Sequence, residues 1–218
     1  MASVVAHIIY AEKYFEKYPS SEINKDEFIL GCVFPDIRRV DKSIKRKETH
    51  LCFDPIDLDF DGLTSFQAGW KFHLYCDMRR EAILNKYDFY SLDDTTDLGH
   101  QPAKGLEDEI VYDDYKNWEK IVNYFNNPPE VSNLVGVSPA STCGDLLSTR
   151  GGQETIELWY AIIARYIEKK PDSKAMKIFL SKQLGFADTA GNVAEVVDKL
   201  RKDGKVIEAL NKVKEEIV

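Results

Sequence analysis

The chain has 218 residues, a formal net charge of −8 and 44% hydrophobic residues. This length is sufficient for one large domain with a packed core, and the acidic charge argues against general nucleic-acid binding. No segment approaches the roughly 20 consecutive apolar residues of a membrane span. The N-terminal sequence also lacks the basic region of a signal peptide. We therefore expect a cytoplasmic protein.

The hydrophobic pattern predicts helices along almost the whole chain. In the first of them Val4, Ile8, Ala11 and Phe15 form one apolar stripe with helical spacing. We expect helices at about 3–17, 25–33, 65–86, 106–125, 153–169, 172–184 and 190–218, the last broken at Asp203 and Gly204. Residues 87–104 are expected to be a loop, and 130–152 an irregular segment with a short helix. The prediction is one all-α domain, 1–218, with a metal site in 1–100 and a helical extension in 101–218.

Three residues suggest how the first helices are arranged. Asn24 is a suitable N-cap for the second helix, and Pro35 is expected to end that helix. Gly69 lies inside the third helix, one turn before His73. A glycine there costs about 1 kcal/mol, so it usually has a packing reason. We expect another backbone, or a metal-bound group, to approach this helix closely at Gly69.

The strongest functional signal is the pair His73 and Asp77. Positions i and i+4 share one face of a helix, so an imidazole and a carboxylate point the same way. The chain has only four histidines, and His7 and His50 precede this pair together with Asp36. Zinc and similar divalent ions favour nitrogen and carboxylate ligands when thiolates are absent. The alternative is that each residue acts alone, as a hydrogen-bonded pair, a core-edge histidine or a turn aspartate.

Cations are concentrated around these residues, although the chain is acidic. The basic segment comprises Arg38, Arg39, Lys42, Lys45, Arg46 and Lys47. Arg79 and Arg80 directly follow Asp77. The segment is either a solvated loop or an anion-binding element. Because arginine binds phosphate in a fork, Arg38, Arg39 and Arg79 are the candidate phosphate contacts.

Other site types are less well supported. The four cysteines, Cys32, Cys52, Cys76 and Cys143, form no C-x-x-C pair, so we expect buried free thiols rather than disulfides or a zinc site. Residues 57–62 (DLDFDG) match the first half of a calcium loop, but Ala68 occupies the position of the bidentate glutamate. An acidic turn is the alternative. No His-Asp dipeptide is present, which excludes a phosphohydrolase of the HD type.

The order of these residues resembles that of the zinc-dependent phospholipase C family, which is related to the P1-type nucleases. The resemblance comprises an early helical His7, the G-x-x-x-P-D-I turn in 31–37, the T-H dipeptide at 49–50, and G-x-x-x-H-x-x-x-D in 69–77. It covers about the first eighty residues. It implies an all-α bundle in which Asp36, His50, His73 and Asp77 hold one ion. Asp77 would also reach a second ion, bound by His7.

The resemblance implies a metal-dependent hydrolase that acts on a small-molecule or lipid phosphoester. Asp36, His73 and Asp77 would be the catalytic residues, and zinc the favoured metal. The family's trinuclear centre needs two more histidines and a glutamate, whereas no histidine occurs here between His73 and His100. We therefore expect one ion, or two. The alternative is a non-catalytic helical protein that retains this fold with a structural metal or none.

Overall fold

The computed structural model describes residues 3–19, 22–129, 153–183, 185 and 187–218. Within these ranges every regular element is helical, which confirms the predicted all-α class. The segment predicted to be irregular, 130–152, lies outside the described residues and so does Cys143. None of the described helices is both long and apolar enough to cross a membrane.

The described part of the chain contains ten α-helices. They are α1 (Val4–Lys17), α2 (Lys25–Val33), α3 (Arg46–His50), α4 (Ser65–Lys86), α5 (Gln101–Val111), α6 (Trp118–Asn126), α7 (Gln153–Ile167), α8 (Ser173–Ile178), α9 (Ala187–Leu200) and α10 (Gly204–Glu216). Short 3-10 turns join several of them, and a wider turn, Phe179–Gln183, follows α8. The first, second and fourth helices begin and end close to the predicted residues.

Two helix boundaries follow the predicted capping chemistry. The Asn24 side chain accepts hydrogen bonds from the backbone N–H groups of Asp26 and Glu27, as an N-cap residue does. At the other end of the chain, Asp203 caps α10 in the same way, which confirms the predicted break. After α2 the chain continues as a 3-10 helix, Phe34–Arg39. Proline is tolerated there because its missing N–H would have no partner in a first turn.

Three sequence predictions in this region were wrong. The single helix expected at about 106–125 is two helices, α5 and α6, separated by a 3-10 turn, Tyr112–Asp114. The loop predicted for 87–104 ends early because α5 begins at Gln101. The basic segment was expected to lack regular structure, but its end forms α3, in which the Glu48 side chain accepts the backbone N–H of Lys45. Local capping outweighed the weak hydrophobic pattern here.

The three described cysteines divide into two classes. Cys32 and Cys76 are fully buried thiols that form no disulfide, as expected. Cys52 is disulfide-bonded, which corrects the expectation of a free thiol. Isolated thiols in aromatic surroundings carry no signal of pairing in one sequence, because pairing depends on which chain segments meet in the fold. Disulfides are more common in oxidising compartments, so the cytoplasmic location stays a prediction without structural support.

The fold comprises two compact units. The first contains residues 1–10, 76–116 and 166–218, and the second contains 11–75 and 117–165. The first unit buries several charged side chains, Arg80, Glu107 and Asp108 among them. The second has an aromatic core in which Phe28 stacks on Tyr14 with 5.5 Å between the ring centroids. The single-domain organisation of 1–218 stays a prediction.

Within the second unit, two glycines bring the backbones of α2 and α4 into contact. A Cβ atom on Gly31 would lie 1.9 Å from the carbonyl oxygen of Phe66, and one on Gly69 would lie 1.9 Å from that of Phe28. Real Cβ atoms do not approach so closely. Only glycine therefore permits this crossing, which confirms the close backbone approach predicted at Gly69. The contact fixes the position of His73, one turn further along α4.

Candidate metal centre

Helix α1 presents His7, which is 1% exposed. Its Nδ1 atom lies 2.9 Å from the carbonyl oxygen of Ser3. Because a carbonyl oxygen only accepts hydrogen bonds, Nδ1 must carry the hydrogen, and the lone pair of the neutral ring is on Nε2. This Nε2 atom lies 3.5 Å from Oδ1 of Asp77. The hydrogen bond to Ser3 thus turns the ligand nitrogen of His7 towards the carboxylate.

The other histidine of this site, His73, is held in the same way by α2. Its Nδ1 atom lies 2.8 Å from the carbonyl oxygen of Cys32, and the residue is 1% exposed. Cys32 follows Gly31, so the glycine contact places this carbonyl beside the imidazole. The same argument assigns the hydrogen to Nδ1 and the lone pair to Nε2. Histidines that bind metals typically donate their other ring N–H in this manner.

Ligand atoms of His7, His73 and Asp77 all lie within 4.8 Å of one another. Two atoms that are each about 2.1 Å from a tetrahedral ion are about 3.4 Å apart, close to the 3.5 Å between His7 Nε2 and Asp77 Oδ1. Two imidazoles and a carboxylate also form a donor set that suits zinc and related ions. These three residues can therefore hold a metal ion, and they include the predicted pair one turn apart on α4.

His50 lies beside His73 but is not a member of this three-residue group. The two ring centroids are 5.4 Å apart, with the rings at 84°. The Nδ1 atom of His50 is 2.7 Å from the hydroxyl oxygen of Thr49. The indole N–H of Trp70 donates to the Thr49 carbonyl oxygen at 2.6 Å, which anchors the end of α3 against α4. The predicted role of His50 as a ligand stays a prediction.

Asp36 also lies outside the three-residue group. It is 4% exposed, and its Oδ1 atom lies 3.3 Å from Nε of Arg39 and 3.7 Å from a terminal nitrogen of Arg38. Two predicted phosphate contacts therefore face a predicted metal ligand. The third predicted contact, Arg79, donates to the carbonyl oxygen of Glu216 at 3.1 Å. The site roles of these four residues stay predictions.

The basic segment is partly enclosed. Lys42 donates to the carbonyl oxygen of Arg39 at 2.6 Å. Burial, with the nearby charges of Arg39 and Arg38, lowers the pKa of the Lys42 ammonium. Arg38 and Arg39 are half-buried, whereas Lys42, Lys45, Arg46 and Lys47 are exposed. The segment thus combines a cationic part beside Asp36 with a solvated part, and its anion-binding role stays a prediction.

The structure gives the calcium-like loop an internal cation. The Lys71 ammonium lies 2.6 Å from Oδ1 of Asp57 and 2.6 Å from the carbonyl oxygen of Asp59. The hydrogen bond from Lys71 lowers the pKa of the Asp57 carboxyl group. An ammonium of the chain itself thus binds the oxygens that a calcium ion would need. This arrangement favours the acidic turn over a calcium site.

Sequence reasoning missed two buried carboxylates on α5. Glu107 and Asp108 are both fully buried. Glu107 lies four residues from Ala103 and four from Val111, both of which are 0% exposed. That spacing places Glu107 on the buried stripe of the helix. This spacing was the signal in the sequence. It was missed because the predicted helix began at about 106, after Ala103.

No protein-family profile matches the sequence, no curated protein is similar to it, and no solved structure matches its fold. The resemblance to the phospholipase C family therefore depends on the ordered residues in about the first eighty positions.

Proposed function

We propose that the protein is a metal-dependent hydrolase that acts on a phosphoester. The observation that carries the proposal is the group of His7, His73 and Asp77, whose ligand atoms lie within 4.8 Å of one another. Both imidazoles use Nδ1 for a backbone carbonyl, which leaves Nε2 as the nitrogen for an ion. Zinc is the favoured metal because the donors are nitrogen and carboxylate.

His50 is the proposed next ligand, because its ring packs against His73. Asp36 completes the set by the resemblance to the phospholipase C family, and Arg38 and Arg39 face it. A divalent ion bound by these residues supplies polarisation of a phosphoryl oxygen and activation of water. The arginines provide N–H groups for the remaining phosphoryl oxygens. The proposed substrate is a small-molecule or lipid phosphoester.

One observation favours a second candidate, a non-catalytic helical protein with a structural metal. His7 and His73 are each 1% exposed, and the Asp77 side chain is 11% exposed. An enclosed ion with protein ligands on all sides is typical of a structural site, whereas a catalytic site keeps an open position. The two candidates share the metal and differ in whether a substrate can reach it.

Metal analysis of protein purified without chelator tests the shared part. We expect about one zinc per chain in the wild type, and less than about 0.2 in His73→Ala and Asp77→Asn. Asp113→Asn is the matched control, since Asp113 is exposed, pairs with Lys170 and lies outside the predicted ligand set. Circular dichroism shows whether each variant is folded. A folded wild type that binds no zinc, manganese or iron contradicts the enzyme and the structural metal site, and supports a helical protein without a metal.

Hydrolysis of an aryl phosphodiester then separates the candidates. If the protein is a hydrolase, the metal-loaded wild type should hydrolyse the diester, and the folded His73→Ala variant should not. A metal-loaded protein without turnover on aryl phosphodiesters, aryl phosphomonoesters and phospholipid vesicles supports the structural role. Equal turnover in the wild type and His73→Ala would remove this group from the chemistry.

A further inference from the structure

We infer that Glu107 and Asp108 are positioning residues of the metal site, because they hold the turns of α1 and α4 that carry His7 and Asp77. This inference rests on the proposed function, since it concerns the affinity of that site for its ion. Neither carboxylate is a proposed ligand. Both are fully buried, adjacent in sequence, and bonded to residues of the first unit.

Asp108 fixes the first turn of α1. Its Oδ2 atom accepts the Ser3 hydroxyl at 2.5 Å and the Tyr166 hydroxyl at 3.1 Å, and its Oδ1 atom accepts the backbone N–H of Ala6 at 2.9 Å. The N–H groups of a first turn lack partners within the helix, and Asp108 satisfies one of them. The carbonyl oxygen of Ser3 accepts Nδ1–H of His7. Asp108 therefore fixes the residue that orients the His7 ring.

Glu107 contacts both helices of the site. Its Oε1 atom accepts the Tyr10 hydroxyl at 2.5 Å, and its Oε2 atom accepts Nε–H of Arg80 at 2.6 Å. Tyr10 is three residues after His7, and Arg80 is three residues after Asp77. Residues with this spacing are neighbours on a helix surface. One carboxylate thus ties together the two turns on which His7 Nε2 and Asp77 Oδ1 approach to 3.5 Å.

Glu107 also controls the charge that a metal ion meets at this site. Arg80 is 1% exposed. Burial opposes its charged form, but the Glu107 carboxylate outweighs burial and raises the pKa of the guanidinium. A buried cation one turn from Asp77 would compete with a divalent ion for that carboxylate unless another anion balanced it. Glu107 supplies that anion and so leaves Asp77 to the ion.

Metal affinity, measured by zinc or cobalt titration of the chelator-treated protein, tests this inference. We expect Glu107→Gln to weaken binding about 10- to 100-fold, as substitutions behind metal ligands do. The double variant Glu107→Gln/Arg80→Met should recover affinity, because it also removes the competing cation. Urea denaturation of both variants separates a purely structural role, which predicts that the change in metal affinity follows the change in the free energy of unfolding. Glu109→Gln, which changes the acidic residue after Asp108 in α5, is the matched control and should stay within about twofold.

Asp108 provides a second, independent variant. Asp108→Ala should weaken metal binding. Asp108→Asn should retain it, because an amide can still hydrogen-bond to Ser3 and Ala6. A wild type without metal affinity overturns the proposed function and this inference together. A wild type that binds, with folded Glu107→Gln and Asp108→Ala binding equally well, overturns this inference alone.

Discussion

The two units position their site histidines by different means. In the first unit His7 and Asp77 depend on buried carboxylates that pair with charged and hydroxyl groups. In the second unit His73 depends on two helix backbones that touch at glycines and on a carbonyl oxygen of α2. The stability of a charged network depends on pH and on the presence of every partner, whereas the stability of a close backbone contact depends on the volume of the side chains between the helices. The two regions should therefore fail in different ways.

Removal of Glu107 should produce the largest effect. Glu107→Ala leaves the Arg80 guanidinium buried without its carboxylate, and the loss of one partner of a buried pair typically costs about 3–5 kcal/mol. Urea denaturation should show this loss in the free energy of unfolding. Glu109, on the same helix as Glu107, is a half-buried partner of Arg201, and Glu109→Ala should cost much less. Equal losses in the two variants would contradict a special role for the buried pair.

Asp108 should make the stability of the protein depend on pH. Burial is the main cause that raises the pKa of this carboxyl group from 3.8 to about 7. The folded state therefore prefers the protonated acid. The free energy of unfolding that Asp108 contributes is therefore fully present below about pH 4, and it is lost as pH rises through about 7. The difference between the two pKa values corresponds to about 4 kcal/mol.

Urea denaturation of the wild type and Asp108→Asn at several pH values between 4 and 8 tests this prediction, because it gives the free energy of unfolding of each protein. An amide cannot ionise, so the stability of the variant relative to the wild type should increase with pH across this range. Because both proteins share every other titrating group, their difference isolates Asp108. A constant difference between pH 4 and 8 would show that Asp108 titrates alike in the folded and unfolded states.

The sequence predicted the second region better than the first. Gly69 in a helix interior is a local signal of the second region, and the structure confirms the close backbone approach there. The pairing of Glu107 with Arg80 joins residues 27 positions apart, so no local pattern contains it. The disulfide at Cys52 was missed for the same reason. Helix class and caps are decided by neighbouring residues, whereas buried ion pairs are decided by which helices meet.

Gly69→Ala should destabilise the second region through volume alone. The new methyl group would lie 1.9 Å from the carbonyl oxygen of Phe28, so α2 and α4 must separate. Overpacking of this kind costs about 1–3 kcal/mol, and the loss should not vary with pH. Gly191→Ala is the matched control because the nearest atom to its added Cβ is the flexible end of Lys177, at 3.9 Å.

Gly191→Ala should leave stability unchanged or raise it by up to about 1 kcal/mol, as removal of an unconstrained helical glycine does. Thermal melts at pH 5 and pH 8 would compare the two glycine variants. A loss in Gly69→Ala that changes with pH would contradict the steric explanation and indicate that the His73 environment titrates. No loss at all would mean that the two helices can separate without cost.

Thr49→Val should give the smallest effect and tests how His50 is held. The Thr49 hydroxyl and Nδ1 of His50 are 2.7 Å apart, and Thr49 is fully buried. Loss of one such hydrogen bond costs about 1 kcal/mol, since valine preserves the shape of the side chain. Thr49→Ser keeps the hydroxyl and should retain the bond. If the valine variant is as stable as the serine variant, this hydrogen bond does not fix the ring. The position of His50 would then depend on its packing against His73 and on the bond from Trp70 to the Thr49 carbonyl, which both variants preserve.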